Sequence, residues 1–221
     1  PGGQCRRGVE VASNGTDSLE THAGLYFITE DLDSFNIFDT KSQIDFNQDY
    51  WQTTYGFAAF GSAEWDFFPE FFTLGGSIRY NWEYKEFGVL SRAFARIRLP
   101  GGNIRIGEVE ANSGIESDVF TGPSGGVSLT YHFTEEREVY VKYSRGWKPG
   151  HFNGGAVFSG NLLEPETPET EDSFEAGLRS SWPHGPLQVD PPGFSSTYAD
   201  LQLLATDHDP PHAPPCQLPN P

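Results

Sequence analysis

Six polar side chains in strand-like surroundings are the ones best placed to handle a solute. Arg79, Asn81, Glu83 and Lys85 stand two residues apart, so an extended backbone turns all four to one face. His132 and Lys142 occupy comparable places in two later alternating stretches. Together they offer three cations, an amide, a carboxylate and an imidazole, which suits the lining of a wet passage and, more sharply, contact with a polar ligand. No His-Glu-x-x-His pair accompanies them, and no enzymatic activity is expected.

Other clusters carry less. Asp31, Asp33 and Asn36 have part of the spacing of a calcium loop, but the glycine and terminal glutamate of an EF-hand are missing. A solvated acidic loop is therefore expected over Glu30–Asp49, and no metal site. Gly101-Gly102 and Gly107 precede neither Lys-Ser/Thr nor a helical pattern, so they do not form a phosphate loop. His208, Asp209 and His212 fall in a Pro-rich tail, where chance explains them. Cys5 and Cys216 sit near opposite ends without metal-type spacing, and two separate thiols are the simpler expectation than a disulfide.

The elements that must position the six polar residues centre on Tyr50–Phe87. Phe72, Leu74, Gly76, Ile78, Tyr80, Trp82 and Tyr84 alternate with Thr73, Gly75, Ser77, Arg79, Asn81, Glu83 and Lys85. That is the period of a strand with one apolar and one polar face. The stretch before it alternates as well, with Trp51, Tyr55, Phe57, Ala59, Trp65 and Phe67 on one side and Phe60 as the exception. A tight turn at Phe68-Pro69-Glu70 is expected between the two. Both runs far exceed the usual strand of about 5–6 residues. Aromatics collect at both ends, and ten residues separate Phe72 from Trp82. At ~3.3 Å per residue and a tilt of about 40° this is roughly 25 Å, the height of the apolar band of an outer-membrane barrel.

Further strands are expected at Thr21–Ile28, Gly126–Thr134, Glu138–Trp147, Ser173–Trp182 and Phe194–Gln202, which with the central hairpin gives seven. Residues 1–18 lack periodicity and are expected to be loop. Gly88–Asp118 reads as a long loop holding a small hairpin, Arg96–Leu99 against Ile104–Ile106 about Pro100-Gly101-Gly102-Asn103. Connections then alternate long and short along the chain, the order of extracellular loops and periplasmic turns. The formal charge of −17 argues against nucleic acid. No run of 18 apolar residues exists for a membrane helix. The lack of any Met predicts an internal piece of a longer chain. The fold expected is all-β, an antiparallel up-and-down transmembrane β-barrel, incomplete at about seven strands. Loop over 1–20, partial barrel over 21–204 and a disordered or artefactual Pro-rich tail over 205–221 are the expected divisions.

Tyr143-Ser144-Arg145-Gly146-Trp147-Lys148-Pro149-Gly150-His151-Phe152-Asn153 closely resembles a stretch of TonB-dependent outer-membrane receptors. Pro165-Glu166 and Glu175-Ala176-Gly177-Leu178 continue the resemblance, as do Phe57–Tyr80 and Gly126–Phe133. Within the motif, Trp147 is expected at the interface and Pro149-Gly150 where the strand breaks into a loop. The resemblance implies a receptor in the bacterial outer membrane, with lipid, a small-molecule nutrient and the TonB complex as partners. It implies no bound cofactor and a ferric siderophore as the commonest transported ligand. The family's plug domain, through which TonB acts, has no counterpart here, so this chain alone is not expected to transport. The rival class is a soluble β-sandwich that binds ligands or carbohydrate through exposed aromatics such as Trp82 and Trp147.

Overall fold

The computed structural model describes residues 3–16, 18–38, 44–68, 71–100, 102–134, 136–153, 163–181 and 188–203. They form one antiparallel sheet of β1 (Gly3–Thr16), β2 (Leu19–Phe38), β3 (Ile44–Phe68), β4 (Phe72–Leu99), β5 (Gly102–Thr134), β6 (Arg137–Lys148), β7 (Glu169–Ser181), β8 (Gln188–Val189) and β9 (Pro192–Ala199). Each of the first seven pairs with its sequence neighbour. β8 and β9 share the far edge of β7, at Ser180–Ser181 and Thr170–Gly177 respectively, so the sheet has eight strand positions and stays open.

The long alternating runs form the longest strands because every second side chain has one environment along the whole length. β3 and β4 stay in register from Ile44↔Ala95 to Asp66↔Thr73, and a bulge next to Phe68 closes into a turn in which Phe71 N–H donates to the Phe68 carbonyl at 2.9 Å. Pro69 and Glu70 themselves lie outside the described residues, as do Trp182 and the tail from 204 on. Pro192 starts β9 on an outer edge, where a residue without an N–H disturbs no interior ladder.

Three expectations are corrected. Residues 3–16 are a strand, not loop: β1 pairs with β2 from Gly3↔Asp31 to Ala12↔His22 and beyond. An edge strand is held by its backbone ladder, which needs no buried periodicity and leaves no sequence trace. Gly88–Asp118 is not a loop around a small hairpin. The hairpin is there, with Arg96↔Arg105 and Ile97↔Ile104, but β4 and β5 run into it without interruption apart from bulges near Ser91 and Phe94. Glu30–Asp49 is likewise the upper part of the β2–β3 hairpin, paired from Glu30↔Thr54 to Phe38↔Phe46, with 39–43 outside the described residues.

One sheet face carries the exposed apolar side chains Leu25, Phe27, Phe57, Leu74, Ile78, Leu129, Val141, Phe174 and Leu178. Two aromatic groups bound it. Phe67, Phe68, Phe72, Tyr131 and Phe133 touch in series beside the short turns, with ring centroids 4.9–6.3 Å apart. Tyr55 stacks on Tyr84 at 6.4 Å on the other side. The opposite face is polar. Phe60, the exception in the alternation, lies on it with its ring 5.8 Å from the Arg79 guanidinium, which also covers Tyr26 at 5.1 Å. Gly24, opposite Phe60, leaves room for that ring, since a Cβ there would stand 2.4 Å from it.

Candidate functional site: the polar face and its upper rim

Arg79, Asn81, Glu83 and Lys85 form one column on the polar face of β4. Arg79 Nε donates to Asn81 Oδ1 at 2.6 Å, and Asn81 Nδ2 donates to the Gly122 carbonyl and Ser124 Oγ at 3.2 and 3.3 Å. Lys85 Nζ stands 3.5 Å from the Glu83 carboxylate and donates to the Gly150 carbonyl at 2.9 Å. His132 sits at the other end of the face, 3.0 Å from Thr73 Oγ1 and 3.1 Å from Glu138. It lies beside Phe71, eight residues from Arg79 along β4, which places it roughly 20 Å below Arg79. Lys142 lies between these levels, across from Ser128 and Glu175. The six candidates therefore line one wall but do not converge on one point. Glu138, next to His132, also accepts from Arg179 at 2.8 Å, so this lower cluster is a chain of polar contacts joining β5, β6 and β7.

The motif of Tyr143–Gly150 alternates faces. Tyr143 packs against Phe174 at 5.0 Å and donates to Asp172 at 2.6 Å, and Arg145 reaches the same carboxylate at 3.4 Å. Ser144 pairs with Ser173, and Gly146 lies opposite Glu171. The Trp147 indole rests on Gly122, where a side chain would collide with it. Lys148 approaches Glu169 at 3.5 Å, and the Pro149 carbonyl accepts from Gln202 Nε2 at 3.2 Å.

Sequence reasoning missed what happens above Lys85, where the two faces exchange character. Phe87 and Val89 continue the polar column as fully buried apolar residues, and Phe152 and Leu163 from the β6–β7 connection pack onto them. Phe152 stacks on Phe87 with centroids 5.6 Å apart and planes 7° apart. Meanwhile the face that is apolar lower down gains an ionic cluster. Asp45, only 2% exposed, is shared by Arg96 and Arg105, and Arg92 binds both Asp49 and Glu108 at about 3 Å. The expected solvated acidic loop thus holds a buried carboxylate that two guanidiniums contact. The signal was present: Phe87 and Val89 fall on the side that Arg79 and Glu83 had marked as polar.

Gly122-Pro123-Ser124-Gly125-Gly126 spells the Gly-x-Ser-x-Gly pattern, which sequence reasoning also passed over. Here it lies inside β5 instead of on a strand-to-helix turn, and Ser124 Oγ accepts from Asn81. Among the described residues no group of three or more His, Cys, Asp or Glu is arranged to hold a metal ion.

The model of the family described as TonB dependent receptor-like, beta-barrel, matches residues 8–214. Among solved structures, the ferric yersiniabactin uptake receptor FyuA from Yersinia pestis superposes with a TM-score of 0.71 at 18% identity, over 91% of this chain and 29% of that one. The siderophore receptor PiuA from Acinetobacter baumannii gives 0.35 at 11% identity, over 87% of this chain and 40% of that one, too loose an overlap to argue from. The chain therefore spans less than a third of FyuA, and at this identity the likeness concerns the fold. The family match begins inside β1 and covers β2–β9, the two aromatic groups and the Tyr143–Gly150 motif. This chain belongs to the TonB-dependent receptor family, a family of transport receptors and not of enzymes, and it supplies part of the β-barrel.

Proposed function

We propose that the chain is part of an outer-membrane receptor that imports a scarce nutrient, most often in this family a ferric siderophore, with energy delivered through TonB. The observation that carries this is the segregation of the two faces of β2–β7: apolar and rimmed by aromatics on one side, charged and hydrogen-bonded on the other. That pattern suits lipid outside and a wet lumen inside. Arg79, Asn81, Glu83, Lys85, His132 and Lys142 then line the lumen, with the column at Arg79–Lys85 nearest the outer mouth. FyuA, a ferric yersiniabactin uptake receptor that shares this fold, supports the ligand class.

The test is uptake by the complete receptor in the outer membrane of a strain lacking its own siderophore receptors. Radioactive iron supplied as a panel of ferric siderophores should enter with at least one of them, and a protonophore or loss of TonB should stop it. Entry that is indifferent to both would refute energised transport. Binding of none of the panel, with haem or cobalamin bound instead, would move the ligand class.

A further inference from the structure

Lys85 is the candidate ligand residue with an awkward property: it is already occupied. Its side chain is nearly buried, 10% exposed, beside Phe120 and Glu83, and its ammonium donates to the backbone carbonyl of Gly150. Gly150 belongs to the connection that leaves β6; two more contacts fasten that connection to the wall, and a third ties its two legs together. Phe152 stacks on Phe87, Leu163 fills the space that Gly114 leaves open, and Glu166 N–H donates to the His151 carbonyl at 2.8 Å. From the β9 side, Gln202 Nε2 donates to the carbonyls of Pro149 and Thr167 at 3.2 and 2.7 Å. Gly150 has no room for a side chain, because a Cβ would stand 2.2 Å from both the Glu166 carbonyl and the Phe120 ring.

We propose that the two described legs of this connection, 149–153 and 163–168, form an autoinhibitory strap, with the Gly150 carbonyl standing where an anionic ligand oxygen binds Lys85. A neutral carbonyl makes a weaker partner for an ammonium than a charged oxygen does. An anion at Lys85 and the docked strap therefore exclude one another, and each weakens the other by the same factor. The strap is held mainly by Phe152 and Leu163, so its grip can be loosened without touching the ammonium. The class of ligand follows from the contact: one presenting an anionic oxygen, such as a carboxylate or phosphate group. The inference deepens the receptor reading and rests on it for placing the strap at the outer mouth.

The experiment uses the complete receptor in lipid nanodiscs, with Cys5 and Cys216 replaced by Ser and spin labels at Glu164→Cys on the strap and Ser117→Cys on β5. Inorganic phosphate is titrated at constant ionic strength against chloride, and the label separation is read by pulsed electron resonance. Phosphate should lengthen the separation in the parent. Phe152→Ala should lower the midpoint about tenfold, because the strap then competes less. Lys85→Met, which keeps the stem packed on Phe120, removes the anion's partner and should leave a separation that no longer responds to phosphate. A parent that does not respond, or a response unchanged in both variants, overturns the strap. Failure of the receptor reading shows separately, as loss of lipid contact by labels at Leu74 and Ile78 while the phosphate response persists.

Discussion

Replacing Ile78 by arginine probes which face meets lipid. Ile78 is 67% exposed on the apolar face and has glycines beside it on both neighbouring strands, Gly61 on β3 and Gly125 on β4's other partner, β5. It lies six residues from Phe72 and four from Trp82. At ~3.3 Å per residue and a tilt of about 40°, that is roughly 15 Å and 10 Å from the two aromatic rows, close to mid-bilayer. An arginine there costs about 2–4 kcal/mol, and the cost falls to about 0–1 kcal/mol near an interface. Leu74, only about 5 Å from the row of Phe72, should suffer less. Ser77, adjacent to Ile78 but on the polar face, should tolerate arginine at about 0–1 kcal/mol, since a wet lumen hydrates it. The expected order is Ile78→Arg worst, Leu74→Arg intermediate and Ser77→Arg mildest, with the first lowering the folding equilibrium roughly a hundredfold. Guanidinium titration of the complete receptor in phospholipid vesicles, followed by tryptophan fluorescence, measures each. A Ser77→Arg penalty equal to that of Ile78→Arg would refute the face assignment.

Spin labels at Leu74 and Ile78 should be relaxed by lipid-soluble oxygen and those at Ser77 and Arg79 by an aqueous paramagnetic reagent, whereas equal accessibility would argue against a barrel wall. Asp45→Ala removes the buried carboxylate that Arg96 and Arg105 share and should cost about 3–5 kcal/mol, against at most about 1 kcal/mol for Asp49→Ala in its half-exposed pair. Hydrogen exchange of the β3–β4 amides reads both, and equal protection in the two variants would contradict the difference in burial. Gly150→Ala should detach the strap, seen as faster proteolysis near Glu164 with the barrel wall intact. The 221 residues expressed alone should sediment as oligomers or require detergent, because the open sheet leaves two unpaired edges and an exposed aromatic face; a cooperative, detergent-free monomer would go against it.

The period-2 pattern of Tyr50–Lys85 determined by itself that β3 and β4 exist, which side of each is apolar, and that the two aromatic groups stand about one membrane apart. These are local properties, since a pleated backbone sends alternate side chains to opposite faces whatever the partner. The Tyr143–Gly150 motif was enough to suggest the family for the same reason: it is contiguous. The column Arg79–Lys85 was legible as a polar face but not as a site, because which of its members is free depends on what folds over it. Lys85 meets Gly150, 65 residues away, and Phe87 meets Phe152 only because the path of the β6–β7 connection brings them together. β1 was invisible because its stability comes from backbone hydrogen bonds to β2, which any sequence supplies. The carboxylate of Asp45 looked solvated because its two arginines lie 51 and 60 residues further on. Ladder register, which tertiary structure alone fixes, turned an acidic stretch into a buried ion cluster and a polar residue of the wall into the anchor of a strap.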